Sequence, residues 1–178
     1  MDLKRVSKFL SLVLRHEPGK IGITLDENGW TGCQELIEAA GRHGKHFDHA
    51  MLLKVVREND KQRFSISADG TRIRANQGHS VQVDLGLEAR IPPRFLYHGT
   101  VAKFLEAIHA GGLQKGERHH VHLSSNLVTA TKVGERRGQP VILTIRAAEM
   151  SAAGHPFYLS ANGVWLADAV PPEFIDFP

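Results

Sequence analysis

The sequence predicts an α+β protein in two lobes, with a helical lobe over residues 1–90 that ends in a basic hairpin and a mixed lobe over 91–178. Apolar residues recur at three- and four-residue spacing through the first third of the chain, which is the helical period. Around Asp69-Gly70 the pattern changes to strict alternation, the strand period, with a turn signal at its centre. Beyond Ile91-Pro92-Pro93, which cannot continue a helix or a central strand, short strand-like runs alternate with short helices.

A chain of 178 residues that is 42% hydrophobic can bury one good core or two small ones. Lys and Arg number 22 against 19 Asp and Glu, a net charge of only +3. Residues 1–90 hold 14 basic and 12 acidic side chains and residues 91–178 hold 8 and 7, so neither half is a basic arm and any phosphate site must be local. The single Cys33 excludes an intrachain disulfide framework and a Cys-rich zinc site. It fits a reducing compartment, and the cytoplasm is the expected location. Met1 to Leu10 is too charged for a signal peptide, and no apolar run approaches the ~20 residues of a membrane helix.

Val6, Phe9, Leu10, Val13 and Leu14 fall on one helical face, and Pro18-Gly19 ends that helix just after Arg15-His16. Thr31 and Gln34 have the spacing of a capping box ahead of Cys33, Leu36, Ile37 and Ala40. Asp48 caps a third helix carrying Leu52, Val55 and Val56. Phe64 and Ile66, then Ile73, alternate with polar residues on either side of Asp69-Gly70. Three helices and a basic hairpin read either as a winged helix or as a plain helical domain carrying a hairpin.

In the second lobe Phe95-Leu96-Tyr97-His98 reads as a strand and Gly99-Thr100 as its turn. Val101, Phe104, Leu105 and Ile108 follow as a helical stripe closed by Gly111-Gly112. Further strands are expected at "HVHLS", "VILTI", "FYLS", "VWL" and "FIDF". The lobe contains no Gly-x-Gly-x-x-Gly and no P-loop. Strand alternation within Arg118-His119-His120-Val121-His122 places His120 and His122 on one face. Two imidazoles from one strand are an incomplete zinc set, with Glu117 the only acidic neighbour, so no metal is expected. Histidines on an edge strand account for the segment equally well.

The segments "LSLVLRHEP", "LDENGW", "NDKQRFSIS", "IRANQGHS", "LYHGT", "RHHVHLS", "GERRGQPVILTI" and "NGVWL" resemble, nearly end to end, the RNA 2'-phosphotransferase family. The resemblance implies a winged-helix RNA lobe followed by an ADP-ribosyltransferase-like lobe that binds NAD. It also implies the removal of an internal 2'-phosphate from RNA, as at a tRNA splice junction, with NAD consumed as co-substrate. The RNA phosphate would attack the nicotinamide ribose and release nicotinamide. A ribose hydroxyl would then attack the same phosphorus, leaving ADP-ribose 1'',2''-cyclic phosphate and an RNA 2'-OH. The nucleophile is the substrate's own phosphate, so the lack of a Ser/His/Asp triad is expected. A monomer acting on tRNA-like RNA, with no membrane partner, is the expectation.

By the same resemblance Arg15, His16 and Arg63 match residues that hold the RNA phosphate, and Arg118 matches the arginine that clamps it in the second step. Forked guanidinium donors suit a site where two anions must approach each other. His98 matches the histidine on the nicotinamide-side ribose, with Gly99 and Thr100 beside it. His122 and Val164 fall on the next two signature positions of the fold. A hydrophobic Val164, where protein-modifying relatives often carry an acid, suits a substrate that arrives already ionised. Ser124 and Ser125 are candidate pyrophosphate donors and Arg136-Arg137-Gly138 a candidate counter-charge. Gly116 departs from the family pattern, where Met is common, and predicts a looser loop before Arg118. Residue by residue, plainer roles remain open. Arg15 and His16 at a helix C-terminus would gain ~0.3–1 kcal/mol from the dipole alone. Arg63 reads also as a solvated strand position, and the loop residues as solvated loop. Arg72 and Arg74 are candidates for RNA backbone contacts or simply an exposed wing. A nucleic-acid-binding module without turnover, or an ADP-ribosyl transferase that stops after one step, would share most of these features.

Overall fold

In the computed structural model, which describes residues 2–178, the first amphipathic run forms α1 (Leu3–Arg15). Asp2 caps it by accepting from the Arg5 N–H at 2.8 Å, and Val6, Leu10, Val13 and Leu14 are buried along one side. Pro18–Ile21 makes a 3-10 turn that ends at Gly22 with φ of 73°, a conformation glycine adopts without strain. There follow β1 (Thr31–Gly32), α2 (Cys33–Arg42), α3 (His49–Arg57), β2 (Phe64–Ile66) and β3 (Arg72–Ala75). Asp48 caps α3 as its sequence position predicts, accepting from the Met51 N–H at 2.8 Å.

The three strands form one antiparallel sheet in the order β1-β3-β2. Phe64 pairs with Ala75, Ser65 with Arg74 and Ile66 with Ile73, so the inner face delivers Phe64, Ile73 and Ala75 to the helices. Each fully buried aliphatic there contributes roughly 1.5–3 kcal/mol of transfer free energy. The expected capping box at Thr31 and Gln34 does not form. Thr31 is committed to β1 opposite Ile73, the cap position is Gly32, and no side chain caps α2. The Cys33 N–H instead donates to the Thr71 carbonyl at 2.8 Å, so the sheet satisfies the helix end that a local side chain was expected to serve.

The chain divides into two compact units, Met1–Gly86 and Leu87–Pro178. The second unit runs β4 (Leu96–Val101), α4 (Leu105–Gly111), β5 (Leu113–Gln114), β6 (Val121–Leu123), α5 (Leu127–Gly134) and β7 (Pro140–Ile145). Then come α6 (Ala147–Ala152), β8 (Phe157–Leu159), β9 (Trp165–Ala167), β10 (Ala169–Val170) and β11 (Ile175–Asp176). Its strands make antiparallel sheets β11-β7-β4 and β6-β9-β8 and a β10-β5 pair. The molecule is thus α+β. Leu96, Leu143, Ile145, Met150 and Phe157 are among the fully buried side chains of this unit.

Gly99 and Thr100 are not a turn, contrary to the sequence pattern. They continue β4, paired with Ile142 and Val141. Glycine is required at 99 because the α5 backbone lies against it: a Cβ there would overlap the Ala130 carbonyl oxygen. The expected helical stripe from Val101 also starts late, since Val101 ends β4 and a 3-10 turn over Ala102–Phe104 precedes α4. No described helix is long and apolar enough to cross a membrane.

Candidate active site

In the first unit the candidate phosphate residues are each tied to the segment by which the chain leaves the sheet. The segment after β3 folds back on the end of α1, so that the Ser80 N–H donates to the Arg15 carbonyl at 2.9 Å. The Ser80 hydroxyl lies 2.9 Å from His16 Nδ1. This tertiary contact holds the end of α1 in place, and with it the origins of the Arg15 and His16 side chains. Arg15 is half-buried and His16 exposed. Arg63 precedes β2, and its carbonyl accepts from the Asn76 N–H at 2.8 Å. Asn59 steadies its guanidinium weakly, with Nη1 at 3.4 Å from Oδ1, while the Asn59 amide donates to Ser7 on α1 at 2.8 Å. The segment 76–80 therefore links the position of Arg63 to that of Arg15 and His16.

In the second unit His98 and His122, expected on the dinucleotide, lie in contact with each other and with Arg118, expected on the phosphate. His98, on β4, sets Nδ1 3.1 Å from the His122 carbonyl, and Arg118 sets Nη1 3.3 Å from His122 Nδ1. Burial, foremost, pushes the His98 imidazole below its ordinary pKa; the His122 carbonyl opposes this and Arg137 adds to it. The ring is thus neutral at pH 7, with Nδ1–H donating to the carbonyl and Nε2 carrying a lone pair. Partial desolvation, then the charges of Arg137 and Arg136, pull the Arg118 guanidinium down as well. Three arginines that repel one another favour an anion among them.

Ser124 pairs with Tyr97 through two backbone bonds of 2.7 and 2.9 Å, next to His98. Its hydroxyl donates to the Asn126 carbonyl at 3.0 Å and accepts from the Asn126 N–H at 3.1 Å, which shapes the start of α5. Ser125 is exposed in that turn, and Thr100 is buried at 4% exposure. Val164 stands one residue before β9 in the Ser160–Val164 turn, its N–H on Ser160 Oγ at 3.0 Å. Gly116 adopts φ of 61° in open space, a left-handed turn residue ahead of Arg118.

The strand expected through His119, His120 and His122 is shorter than the sequence predicts, starting at Val121. His120 lies before it, turned to Asp168 at 3.8 Å and to the Tyr158 ring at 5.4 Å. Among the described residues no group of three or more His, Cys, Asp or Glu is arranged to hold a metal ion. Two supporting residues lie outside the sequence expectations, Asn126 with a local signal and Asn59 without one. Asn126 caps α5, accepting from the Thr129 N–H at 3.1 Å, as Asn before an apolar run often does. Asn59 stands four residues before Arg63, and nothing in its local pattern points to that partnership.

The model of the family described as "RNA 2'-phosphotransferase, Tpt1 / KptA family" matches residues 2–169. A Streptomyces griseus protein named "Probable RNA 2'-phosphotransferase" is 57% identical, covering 98% of each chain. Proteins of the same name from Flavobacterium johnsoniae and an Escherichia coli strain are 55% and 52% identical, each covering 96% of the relative and 98% and 99% of this chain. With a family match over nearly its whole length, this chain belongs to the RNA 2'-phosphotransferase, Tpt1 / KptA family.

Proposed function

We propose that this protein removes an internal RNA 2'-phosphate with NAD as a consumed co-substrate, and that its units are a winged-helix RNA lobe and an ADP-ribosyltransferase-like lobe. The observation that carries the reading is the chain His98–His122–Arg118 beside Arg136 and Arg137. It offers a neutral imidazole for ribose hydroxyls and clustered guanidinium groups for phosphate oxygens. An acceptor for hydroxyls beside guanidinium donors for phosphate suits a dinucleotide bound without a glycine-rich phosphate loop.

In this reading Arg15, His16 and Arg63 bind the 2'-phosphate and orient one of its oxygens towards the anomeric carbon of the nicotinamide ribose. Bond formation there expels nicotinamide. Positioning supplies most of the acceleration, because the nucleophile arrives ionised and needs no general base. In the second step the adjacent ribose hydroxyl attacks phosphorus and the RNA 2'-oxygen leaves. Charge then gathers on phosphoryl oxygens, where the fork of Arg118 stabilises it. His98 fixes the ribose through Nε2, and the apolar Val164 keeps a carboxylate away from the phosphate.

The test is incubation with NAD and an RNA oligonucleotide carrying one internal 2'-phosphate. Release of nicotinamide together with an RNA 2'-OH is the expected result. Binding without nicotinamide release refutes the enzyme, and accumulation of ADP-ribosylated RNA alone refutes the second step.

A further inference from the structure

We infer that the polar face of the β1-β3-β2 sheet is a track for the RNA backbone, with Arg63, Arg74 and Arg72 as successive anion contacts and Trp30 as the ring that holds the last two in place. The inference rests on the proposed function and adds to it the path by which RNA leaves the reacting phosphate.

Alternation puts one set of side chains on this face. Ser65 pairs with Arg74, the Asn76 N–H meets the Arg63 carbonyl at 2.8 Å, and the Ser67 N–H meets the Arg72 carbonyl at 2.9 Å. Arg63, Ser65 and Ser67 therefore line up beside Asn76, Arg74 and Arg72, while Phe64, Ile73 and Ala75 are buried on the other face. Three rungs carry three arginines, no carboxylate and no large apolar side chain. Arg72 and Arg74 are two residues apart on one strand, so their backbones stand roughly 7 Å from each other.

Trp30 organises the two arms. Its ring centre lies 4.7 Å from the Arg74 guanidinium carbon and 5.5 Å from that of Arg72. The ring is itself anchored by a tight loop, with the Trp30 N–H on Asp26 Oδ1 at 2.9 Å and the Asp26 N–H on the Trp30 carbonyl at 2.8 Å. Asp26 reaches Arg72 at 3.4 Å, and Asp69 in the hairpin turn is taken up by Ser67 and Thr71. Among the described residues no carboxylate forms an ion pair with Arg74, on which Asp26 acts only through its charge. The Arg74 Nη1 reaches only the Asn28 carbonyl, at 3.4 Å, and its buried Nε has no acceptor. Burial lowers its pKa, opposed by Asp26. A half-desolvated guanidinium pre-positioned by an aromatic ring and short of acceptors is suited to a phosphate oxygen. Single-stranded RNA fits because its repeating charge matches repeating arginines without demanding base readout.

The test compares kcat/KM for a 2'-phosphorylated dinucleotide and for a hexanucleotide carrying the phosphate at its centre. In Arg74→Gln the hexanucleotide-to-dinucleotide ratio is expected to fall about tenfold, and the slope of log KM against log salt for the hexanucleotide to become shallower by about 0.7–1. Arg72→Gln, at an exposed position that folding tolerates, is expected to shift both readouts in the same direction. An unchanged ratio in both variants overturns the track. So does a fall in ratio without a change in salt slope, which would mark a purely structural Trp30 cluster. A wild-type protein that releases no nicotinamide with either oligonucleotide sinks the proposed function itself, a different outcome from an active enzyme indifferent to RNA length.

Discussion

Replacing Gly99 by Ala tests whether the glycine serves packing or the approach of a substrate. A Cβ at 99 would overlap the Ala130 carbonyl oxygen and lie 2.8 Å from both the Ala130 carbonyl carbon and the Gly134 nitrogen, where ordinary contacts are 3.4–4 Å. The obstacles are backbone atoms of α5, so no side-chain rotation relieves them and the helix must move bodily off β4. Overpacking of this kind costs ~1–3 kcal/mol, and rigid obstacles put the expected value at the upper end. For a unit of this size that lowers Tm by roughly 15 °C. Gly111→Ala is the control, since nothing lies within 4 Å of its Cβ and its φ is not positive; it is expected to be neutral or slightly stabilising. Thermal unfolding followed by circular dichroism reads both. A Gly99→Ala protein within ~0.5 kcal/mol of wild type that has lost turnover would refute the packing account and return the residue to the substrate.

Arg118→Ala is expected to accumulate ADP-ribosylated RNA more than Arg15→Ala does, with the second step slowed ~100-fold or more; equal accumulation in a single-turnover time course argues against the division of roles. Because burial holds the His98 pKa below 6.5, the folded state resists protonation. The stability this contributes is complete above pH 6.5 and is lost as pH falls towards the lowered value, so urea midpoints should drop over that window in wild type and less in His98→Asn. Asp48→Ala removes the side-chain acceptor for the Met51 N–H and should cost ~1 kcal/mol in chemical denaturation, with no change in nicotinamide release per folded molecule.

Periodicity made much of the first unit legible, because Val6, Leu10, Val13 and Leu14 or Phe64 and Ile73 can satisfy only one face of one element. It failed where tertiary partners replaced local ones. Thr31 and Gln34 have the spacing of a cap, yet β1 took Thr31 and the Thr71 carbonyl took the Cys33 N–H. Gly99-Thr100 has the composition of a turn, yet it is the point where a helix backbone presses on a strand. Of the candidate site, the residue types were readable from motif resemblance, whereas the His98–His122–Arg118 contact and the support of Arg63 by Asn59 depend on geometry that no local spacing encodes.

The bond between His16 and Ser80 joins positions 64 residues apart. Closing so long a loop carries an entropy cost that grows as about 1.5RT ln n, and it is recovered only after the intervening helices and hairpin have docked. The origin of the Arg15 and His16 side chains is thus set by the chain past residue 80 as well as by the helix they end. On the proposed function, anion affinity at that point would report on completed folding rather than on helix formation.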